Sequence, residues 1–211
     1  MFQKESSSNI AKSLLEIDAV KLSPEKPFTW ASGIQSPIYC DNRITLSYPK
    51  IRKMIAQSFA QASQEYTFDA VVGVATAGIP HGMLLAQALD VPFAYVRSKA
   101  KAHGRQNMLE GKLAVGSKVL VVEDLISTGG SCLQAVDALK SHGIETEVVL
   151  AIFQYGFPFA LEAFNKKDTA FETLTDYGTM IEVAAELNYV QAETIDTLKE
   201  WRLDPHNWSP K

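Results

Sequence analysis

The sequence predicts an α/β fold with a twisted, mainly parallel sheet and helices on both faces. Three apolar runs, at 70–74, 119–122 and 148–152, are rich in aliphatic residues and have the length of strands. Runs without polar alternation are typical of strands buried on both faces of a parallel sheet. Each run is followed by residues with helical spacing, and strands that alternate with helices form parallel sheets with right-handed crossovers.

Length and composition limit the size and setting of the protein. The 211 residues suit one domain, and we expect residues 1–211 to form it. The net charge of -4 gives no reason to expect nucleic acid or an anionic membrane as a partner, and no apolar window has the length of a membrane span. No signal peptide is visible and the two cysteines lack the spacing of a zinc site, so we expect a reduced, cytoplasmic protein.

The first 45 residues predict a small unit ahead of the sheet. Apolar residues at helical spacing indicate a helix over 8–20, and Pro24 and Pro27 then interrupt the pattern. Two short strands, at 28–30 and 38–40, are expected to be joined by a turn. A helix and hairpin in this place form either a hood over a ligand site or a plain edge hairpin, and the pattern alone favours neither.

The remaining elements alternate between helix and strand. A helix is expected at 48–65 and a strand at 70–74, and the small-residue loop 75–78 leads into a helix that ends near Asp90. The further elements are a strand at 93–96, a helix from 132 to about 142, a strand at 145–153, a helix at 157–165, a strand at 171–174, a helix capped by Asp176 that runs to 184, and a last helix at 191–201. Because the carboxyl ends of parallel strands share one edge of the sheet, the loops after 74 and after 122 should lie side by side.

The most informative stretch follows the strand at 119–122. Glu123 and Asp124 stand where this strand is expected to leave the core, and Ser-Thr-Gly-Gly-Ser follows at 127–131, just before a helix. A glycine-rich turn lets backbone N–H groups approach an anion, which a helix N-terminus also attracts. Carboxylates beside such a turn can accept hydrogen bonds from sugar hydroxyls, so the combination favours a sugar phosphate. The alternative is an ordinary capping turn next to two solvated acids.

Two familiar nucleotide motifs are absent from the sequence. Neither Gly-x-x-x-x-Gly-Lys-Ser/Thr nor Gly-x-Gly-x-x-Gly occurs, which argues against hydrolysis of a nucleoside triphosphate and against dinucleotide binding.

A cluster of positive charge lies at 97–105. Its basic side chains are Arg97, Lys99, Lys101, His103 and Arg105. The segment has too little apolar surface for a packed strand, so we expect a mobile cationic loop. It is either a solvated loop that keeps a sheet edge soluble or the positive charge that an anionic substrate needs in an acidic protein. The neighbouring anion-binding turn favours the second interpretation.

The stretch 119–131 resembles the signature of the phosphoribosyltransferases, which is an apolar strand, two acids, two apolar residues and a Thr/Gly-rich loop. The resemblance implies the type I phosphoribosyltransferase fold and binding of 5-phosphoribosyl 1-diphosphate, with Mg²⁺ held mainly through substrate oxygens. It implies that the two acids bind the ribose hydroxyls and that the loop binds the 5′-phosphate. The donor-binding residues implied in this stretch are Glu123, Asp124, Leu125, Ile126, Ser127, Thr128, Gly129, Gly130 and Ser131.

Two further stretches are similar to the orotate-specific members of that family. FTWASGIQSPIY, at 28–39, resembles their hood over the pyrimidine, and YVRSKAKAHG, at 95–104, resembles their flexible catalytic loop. The resemblance implies that residues 1–45 contribute the hood and that the chain transfers ribose 5-phosphate to orotate, giving orotidine 5′-monophosphate and diphosphate. It also implies a homodimer with shared active sites. The implied roles are donor contacts for Thr76, Arg97, Lys101 and His103, an orotate contact for Ser127, and catalysis for Lys101, His103 and Asp124.

The chain departs from the family pattern near the base. Some members have a Lys in the hood where this chain has Ala31, and a second Lys in the loop where it has Ser98. The resemblance therefore does not say which residue meets the carboxylate of orotate.

Two other functions stay open at this point. One is a phosphoribosyltransferase for another base, such as uracil or a purine. The other is a ligand-sensing regulator that keeps the donor pocket without catalysing transfer, for which a nucleic-acid-binding module or broad basic face would be expected. Neither of these features is visible in the sequence.

Overall fold

The computed structural model describes residues 4–30, 32–97 and 108–209. The strands in chain order are β1 (Val20–Leu22), β2 (Phe28–Thr29), β3 (Gln35–Ser36), β4 (Ile38–Cys40), β5 (Ala70–Val74), β6 (Phe93–Val96), β7 (Leu109–Glu110), β8 (Lys118–Ile126), β9 (Glu145–Gln154) and β10 (Phe171–Asp176). The α-helices are α1 (Lys4–Glu16), α2 (Pro49–Ala62), α3 (Gly78–Leu89), α4 (Gly130–Ser141), α5 (Pro158–Lys166), α6 (Tyr177–Glu186) and α7 (Ile195–Leu203). Short 3₁₀ helices occur at Asn42–Ser47, Ser63–Glu65 and Ala192–Thr194.

A six-stranded sheet forms the centre of the molecule. Its strands lie in the order β10-β9-β8-β5-β6-β7. The five strands from β10 to β6 are parallel to their neighbours, and β7 joins the edge antiparallel to β6. The predicted α/β class and mainly parallel sheet are confirmed.

Alternate residues of β8 face two separate hydrophobic clusters. Leu120 and Val122 pack on one face with buried residues of α1, α2, α3 and α6. Val119 and Val121 pack on the other face with buried residues of α4. Helices therefore cover both faces of the sheet, which explains why its strands carry continuous apolar runs.

The N-terminal segment differs from the prediction in two ways. The first helix spans 4–16 rather than 8–20, because the chain turns at Asp18, which has a φ of +58°, and continues as β1. The expected hairpin of 28–30 with 38–40 is wrong, since β2 pairs with β3 and β4 pairs with β1. Only Pro37 separates β3 from β4. Because proline has no N–H, it cannot donate the hydrogen bond that would continue the pairing of β3 into β4.

The C-terminal helix holds this N-terminal unit on the sheet. The indole Nε1 of Trp201 in α7 donates a hydrogen bond of 2.9 Å to the backbone oxygen of Gln35 in β3. The rings of Trp30 and Trp201 lie 5.6 Å apart, and the ring of Tyr155 lies 5.1 Å from that of Trp30. Trp201 is fully buried, so aromatic packing fixes the position of the small strands over the carboxyl edge of β9.

No helix within residues 4–30, 32–97 and 108–209 combines the length and the apolar character needed to cross a bilayer.

Candidate active site

A cavity of about 450 Å³ opens at the carboxyl edge of the sheet. Three segments meet in it, namely the end of β8 with its loop, the loop after β5, and the chain that leaves β4. The lining residues are Cys40, Asp41, Arg43, Ala75, Thr76, Ala77, Glu123, Asp124, Leu125, Ser127, Thr128, Gly129, Gly130 and Ser131. The two loops thus lie side by side, as the order of strands β8 and β5 requires.

The acidic pair lies inside β8 and not after it. The strand runs on to Ile126, which pairs with Gln154, so the expectation that it leaves the core at residue 123 is wrong. It continues because β9 extends equally far and still offers backbone partners. Glu123 is only 5% exposed. Its Oε1 accepts a 3.0 Å hydrogen bond from the Asp124 N–H, and its Oε2 accepts one of 3.0 Å from the Ser131 hydroxyl.

Burial shifts the pKa of both acids in the same direction. It raises the pKa of Glu123, and the neighbouring charge of Asp124 raises it further. Burial also raises the pKa of Asp124. Two adjacent carboxylates with little water around them are destabilised when both are charged. A cation or a hydroxyl donor brought to this pair is therefore favoured.

The loop between β8 and α4 depends on Gly129. Its φ of +80° is in the left-handed region, and a Cβ there would lie 2.6 Å from a ring carbon of Phe164. The tight turn lets α4 begin at Gly130, so the first residues of a 12-residue helix line the cavity. Unpaired N–H groups at a helix start and its positive dipole end favour an anion such as phosphate.

The loop after β5 is held directly against β8. A Cβ on Gly78 would collide with the backbone oxygen of Val122, and a Cβ on Gly73 would lie 2.8 Å from the oxygen of Gly78. The peptide bond between Ala75 and Thr76 is cis. Because both glycines allow close approach, Thr76 reaches the same cavity as the acidic pair.

The chain that leaves β4 contributes a wall that the sequence prediction missed. Cys40, Asp41 and Arg43 line the cavity, while the buried Asn42 donates a 2.7 Å hydrogen bond from Nδ2 to the backbone oxygen of Asp124. Arg43 is paired with Asp41, with Nε 2.6 Å from Oδ1 and Nη2 2.8 Å from Oδ2. The signal in the sequence was the polar run Asp-Asn-Arg directly after an apolar strand.

Behind this wall, a buried polar chain connects three elements. The hydroxyl of Thr45 donates a 2.6 Å hydrogen bond to the backbone oxygen of Asn42 and lies 3.4 Å from Nε2 of His81 in α3. Burial lowers the pKa of His81 to about 4, so the imidazole is neutral at pH 7. The network joins the wall around Arg43 to α3 and, through Asn42, to Asp124.

The predicted cationic residues differ in where they fall. Arg97 is described and pairs with Glu110, with Nη1 3.4 Å from Oε1. It lines a small neighbouring cavity of about 20 Å³ together with Ala75 and Ser131, which also line the larger one. Lys99, Lys101, His103 and Arg105 lie outside the described residues.

Among the other predicted residues, Ile126 is buried in the sheet and does not line the cavity, whereas Leu125 and the residues 127–131 do. Within the described ranges, no group of three or more His, Cys, Asp and Glu side chains is arranged to hold a metal ion.

A parallel sheet with paired acids and a phosphate-binding type of loop at its carboxyl edge is typical of enzymes that bind sugar phosphates. Comparison of the sequence with known protein families agrees with this class. The phosphoribosyl transferase domain matches residues 42–160, which include the acidic pair, the loop and the segment 75–78. The chain belongs to the phosphoribosyltransferase family.

Its relatives within that family are orotate phosphoribosyltransferases. The chain is 53% identical over 202 residues to the enzyme of Listeria monocytogenes serotype 4b, covering 94% of this chain and 96% of the relative. It is 50% identical over 202 residues to the enzyme of Enterococcus faecalis OG1RF, with the same coverage of 94% and 96%.

Two solved structures share the fold at lower identity. The orotate phosphoribosyltransferase of Aeropyrum pernix is 28% identical with a TM-score of 0.75, covering 86% of this chain and 99% of that one. The UMP synthase of Leishmania donovani is 28% identical with a TM-score of 0.81, covering 94% of this chain and 42% of that one.

Proposed function

We propose that the chain transfers the ribose 5-phosphate group from 5-phosphoribosyl 1-diphosphate to orotate, giving orotidine 5′-monophosphate and diphosphate. The observation that carries this proposal is the meeting of the acidic pair 123–124 and the loop 127–131 in one cavity. Similarity to orotate phosphoribosyltransferases over 94% of the chain supports orotate as the base.

In this proposal each part of the cavity binds one part of the donor. Glu123 and Asp124 accept hydrogen bonds from the ribose hydroxyls, and the N–H groups of 127–131 bind the 5′-phosphate. Thr76 contacts the diphosphate from the loop after β5. Ser127 stands at the start of the phosphate loop and contacts orotate. The lining positions of these residues support the assignment.

The chemistry requires stabilisation of separated charge. As the bond from C1′ to the diphosphate breaks, the ribose carbon becomes oxocarbenium-like, and the Asp124 carboxylate stabilises that positive charge. Arg97 and Lys101 stabilise the negative charge on the leaving diphosphate, and His103 donates a proton to it. The partial burial of Asp124 strengthens its contribution, because water around a fully exposed carboxylate would screen the charge more.

The site fits Mg²⁺ held mainly through substrate oxygens. Glu123 is buried and Asp124 half-buried, desolvation raises the pKa of both carboxyl groups, and a divalent cation near them offsets that cost. When bound, Mg²⁺ supplies positive charge to the diphosphate oxygens.

We further propose one domain over residues 1–211, in which residues 1–45 form a hood over the base. The anchoring of β3 by Trp201 supports a fixed hood.

We propose a cytoplasmic homodimer with shared active sites, small molecules as the substrates, and neither nucleic acid nor membrane as a partner. The two free cysteines suit a reducing compartment.

The test is diphosphate release by the purified chain with 5-phosphoribosyl 1-diphosphate, Mg²⁺ and a panel of orotate, uracil, adenine and hypoxanthine. We expect release with orotate alone among these bases, and loss of release when Mg²⁺ is chelated. Release with uracil or a purine but not with orotate would replace the proposed base. Failure to consume the donor with any base would overturn the proposal.

A further inference from the structure

The proposed substrate brings a negative charge to a cavity that is already acidic. Orotate is a pyrimidine with a carboxylate that is ionised at neutral pH. Asp41 and Asp124 both line the cavity, so an unpaired carboxylate entering it would meet like charges. Binding of this base therefore requires a positive charge that faces the cavity near the hood.

Arg43 supplies such a charge. Among the described residues, it is the one cationic side chain in the cavity wall. It is the third residue after the end of β4 and lies within the 3₁₀ helix Asn42–Ser47. The neighbouring Asn42 binds the backbone oxygen of Asp124, which places Arg43 at the Asp124 side of the cavity. The 5′-phosphate loop 127–131 reaches the cavity from a different element, at the start of α4.

The guanidinium of Arg43 is oriented by its ion pair with Asp41. Arg43 donates from Nε to Oδ1 of Asp41 at 2.6 Å and from Nη2 to Oδ2 at 2.8 Å. The same Oδ1 accepts a 3.2 Å hydrogen bond from the Arg43 backbone N–H. The Asp41 N–H in turn donates a 2.7 Å hydrogen bond to the backbone oxygen of Ala19, the residue directly before β1.

One edge of the guanidinium stays available. Nη1 of Arg43 has no hydrogen-bond partner among residues 4–30, 32–97 and 108–209, and Nη2 has one N–H left over. Together they form the two-donor edge that matches the two oxygens of a carboxylate. The Arg43 side chain is 64% exposed, so a ligand can reach this edge.

We propose that Arg43 binds the carboxylate of orotate through this free edge and so selects orotate over pyrimidines that lack the carboxylate. The inference rests on the proposed function. Asp41 is a positioning residue in it, because it fixes the guanidinium plane without touching the base.

Steady-state kinetics of Arg43→Gln and Arg43→Lys test the proposal, with KM measured separately for orotate and for the donor. Loss of a charged two-point contact should raise the KM for orotate about tenfold to hundredfold in Arg43→Gln. The KM for 5-phosphoribosyl 1-diphosphate should change less than about threefold. Arg43→Lys should fall between wild type and Arg43→Gln, because it keeps the charge but loses the fork.

The inhibition constant of uracil against orotate gives a second readout. Uracil has no carboxylate, so its inhibition constant should be nearly unchanged in Arg43→Gln while the KM for orotate rises. The matched control is Lys50→Gln, which removes one positive charge from the exposed start of α2, outside the cavity, and should leave both constants unchanged.

The outcomes separate this inference from the proposed function. Wild-type turnover of orotate with an unchanged KM in Arg43→Gln would overturn the role of Arg43 alone. An equal rise in the KM for the donor, or in the inhibition constant of uracil, would also overturn it, because Arg43 would then serve the diphosphate or the general shape of the site. A wild-type chain that does not transfer to orotate would overturn both proposals.

Discussion

Asp124 and Ser127 lie three residues apart in the same wall, yet their backbones are held differently. Asp124 belongs to β8 and has its backbone oxygen bound by Asn42 at 2.7 Å, and its residue is half-buried. Ser127 follows the end of the strand at Ile126 and starts the loop. A fixed, half-buried charge contributes more to a charged transition state than a hydroxyl on a loop does.

We therefore expect Asp124→Asn to lower kcat by about 10²-fold or more, and Ser127→Ala to lower it less than about tenfold. Steady-state rates with both substrates saturating would measure the difference. The Asn side chain keeps the size of Asp, so a change in fold does not explain the loss. A larger effect of Ser127→Ala would mean that the ribose and base ends of the site are exchanged.

The burial of His81 leads to a prediction about how the free energy of unfolding depends on pH. Its pKa of about 4 in the folded chain lies below the ordinary value of 6.5, and burial is the cause. Between these values the unfolded chain binds a proton that the folded chain does not, so the free energy of unfolding falls as the pH falls from 6.5 towards 4. From pH 7 to pH 5 this histidine should cost roughly 2 kcal/mol.

Urea unfolding of wild type and His81→Leu at pH 7 and pH 5 measures this contribution as the difference between the two pH dependences. The variant should lose less stability on acidification. Gln87→Leu provides the control, since this exposed change in the same helix removes no ionisable group and should keep the wild-type dependence. Equal slopes for wild type and His81→Leu would contradict the role of His81. The raised pKa of Glu123 acts in the opposite direction and cancels in the comparison.

At the scale of elements, the predictable parts were those with long patterns. β5, β8 and β9 carry apolar runs, and α6 has its Asp176 cap, which accepts the Thr179 N–H at 3.0 Å. β1 has only three residues, which is too short to show a period, and its first residue falls inside the helix that the sequence predicts over 8–20. The pairing of β4 with β1 depends on tertiary packing that local sequence does not encode.

The residues of the site also divide into those that the sequence predicts and those that only tertiary contacts bring to the cavity. The acidic pair and the loop 127–131 form one continuous motif, so their meeting follows from the sequence. Asp41 and Arg43 reach the cavity because β4 pairs with β1 and Asn42 binds β8, which are contacts between segments far apart in the chain. No local pattern predicts such contacts, so these two residues were missed.

The contact of α3 with β8 gives a prediction at this scale. Gly78→Ala places a Cβ against the backbone oxygen of Val122, which cannot move without disturbing the sheet. We expect the free energy of unfolding to fall by about 1–3 kcal/mol, the usual cost of overpacking. We also expect a higher KM for the donor, because the loop 75–77 would shift with the helix.

Chemical denaturation and steady-state kinetics would measure these two effects. Gln87→Ala, an exposed change in the same helix, should be close to neutral in both measurements. Wild-type stability together with a wild-type KM for Gly78→Ala would show that the close approach of α3 to β8 is not required.

At the scale of the whole molecule, the proposed dimer with shared sites makes a testable prediction. If the loop with Lys101 serves the neighbour's cavity, Lys101→Ala and Asp124→Asn subunits complement each other. A mixed dimer then has one site with both intact residues. Equal mixing of the two inactive variants should restore about a quarter of the wild-type activity, because half of the dimers are mixed and each has one intact site.

Activity after unfolding and refolding the two variants together would measure this restoration, with each variant refolded alone as the control. Sedimentation of the same samples would report whether dimers form. Dimers without recovered activity would place Lys101 and Asp124 in the same subunit's site.

The contact between Trp201 and Gln35 affects the order in which parts of a newly made chain can fold. The residues of the sheet leave the ribosome before α7 does, so the donor cavity can form early in synthesis. The small strands near the N-terminus, although translated first, lack the hydrogen bond and ring contact of Trp201 until α7 emerges. A message cut short before α7 would therefore encode a chain in which Gln35 and Trp30 lack their contacts with Trp201.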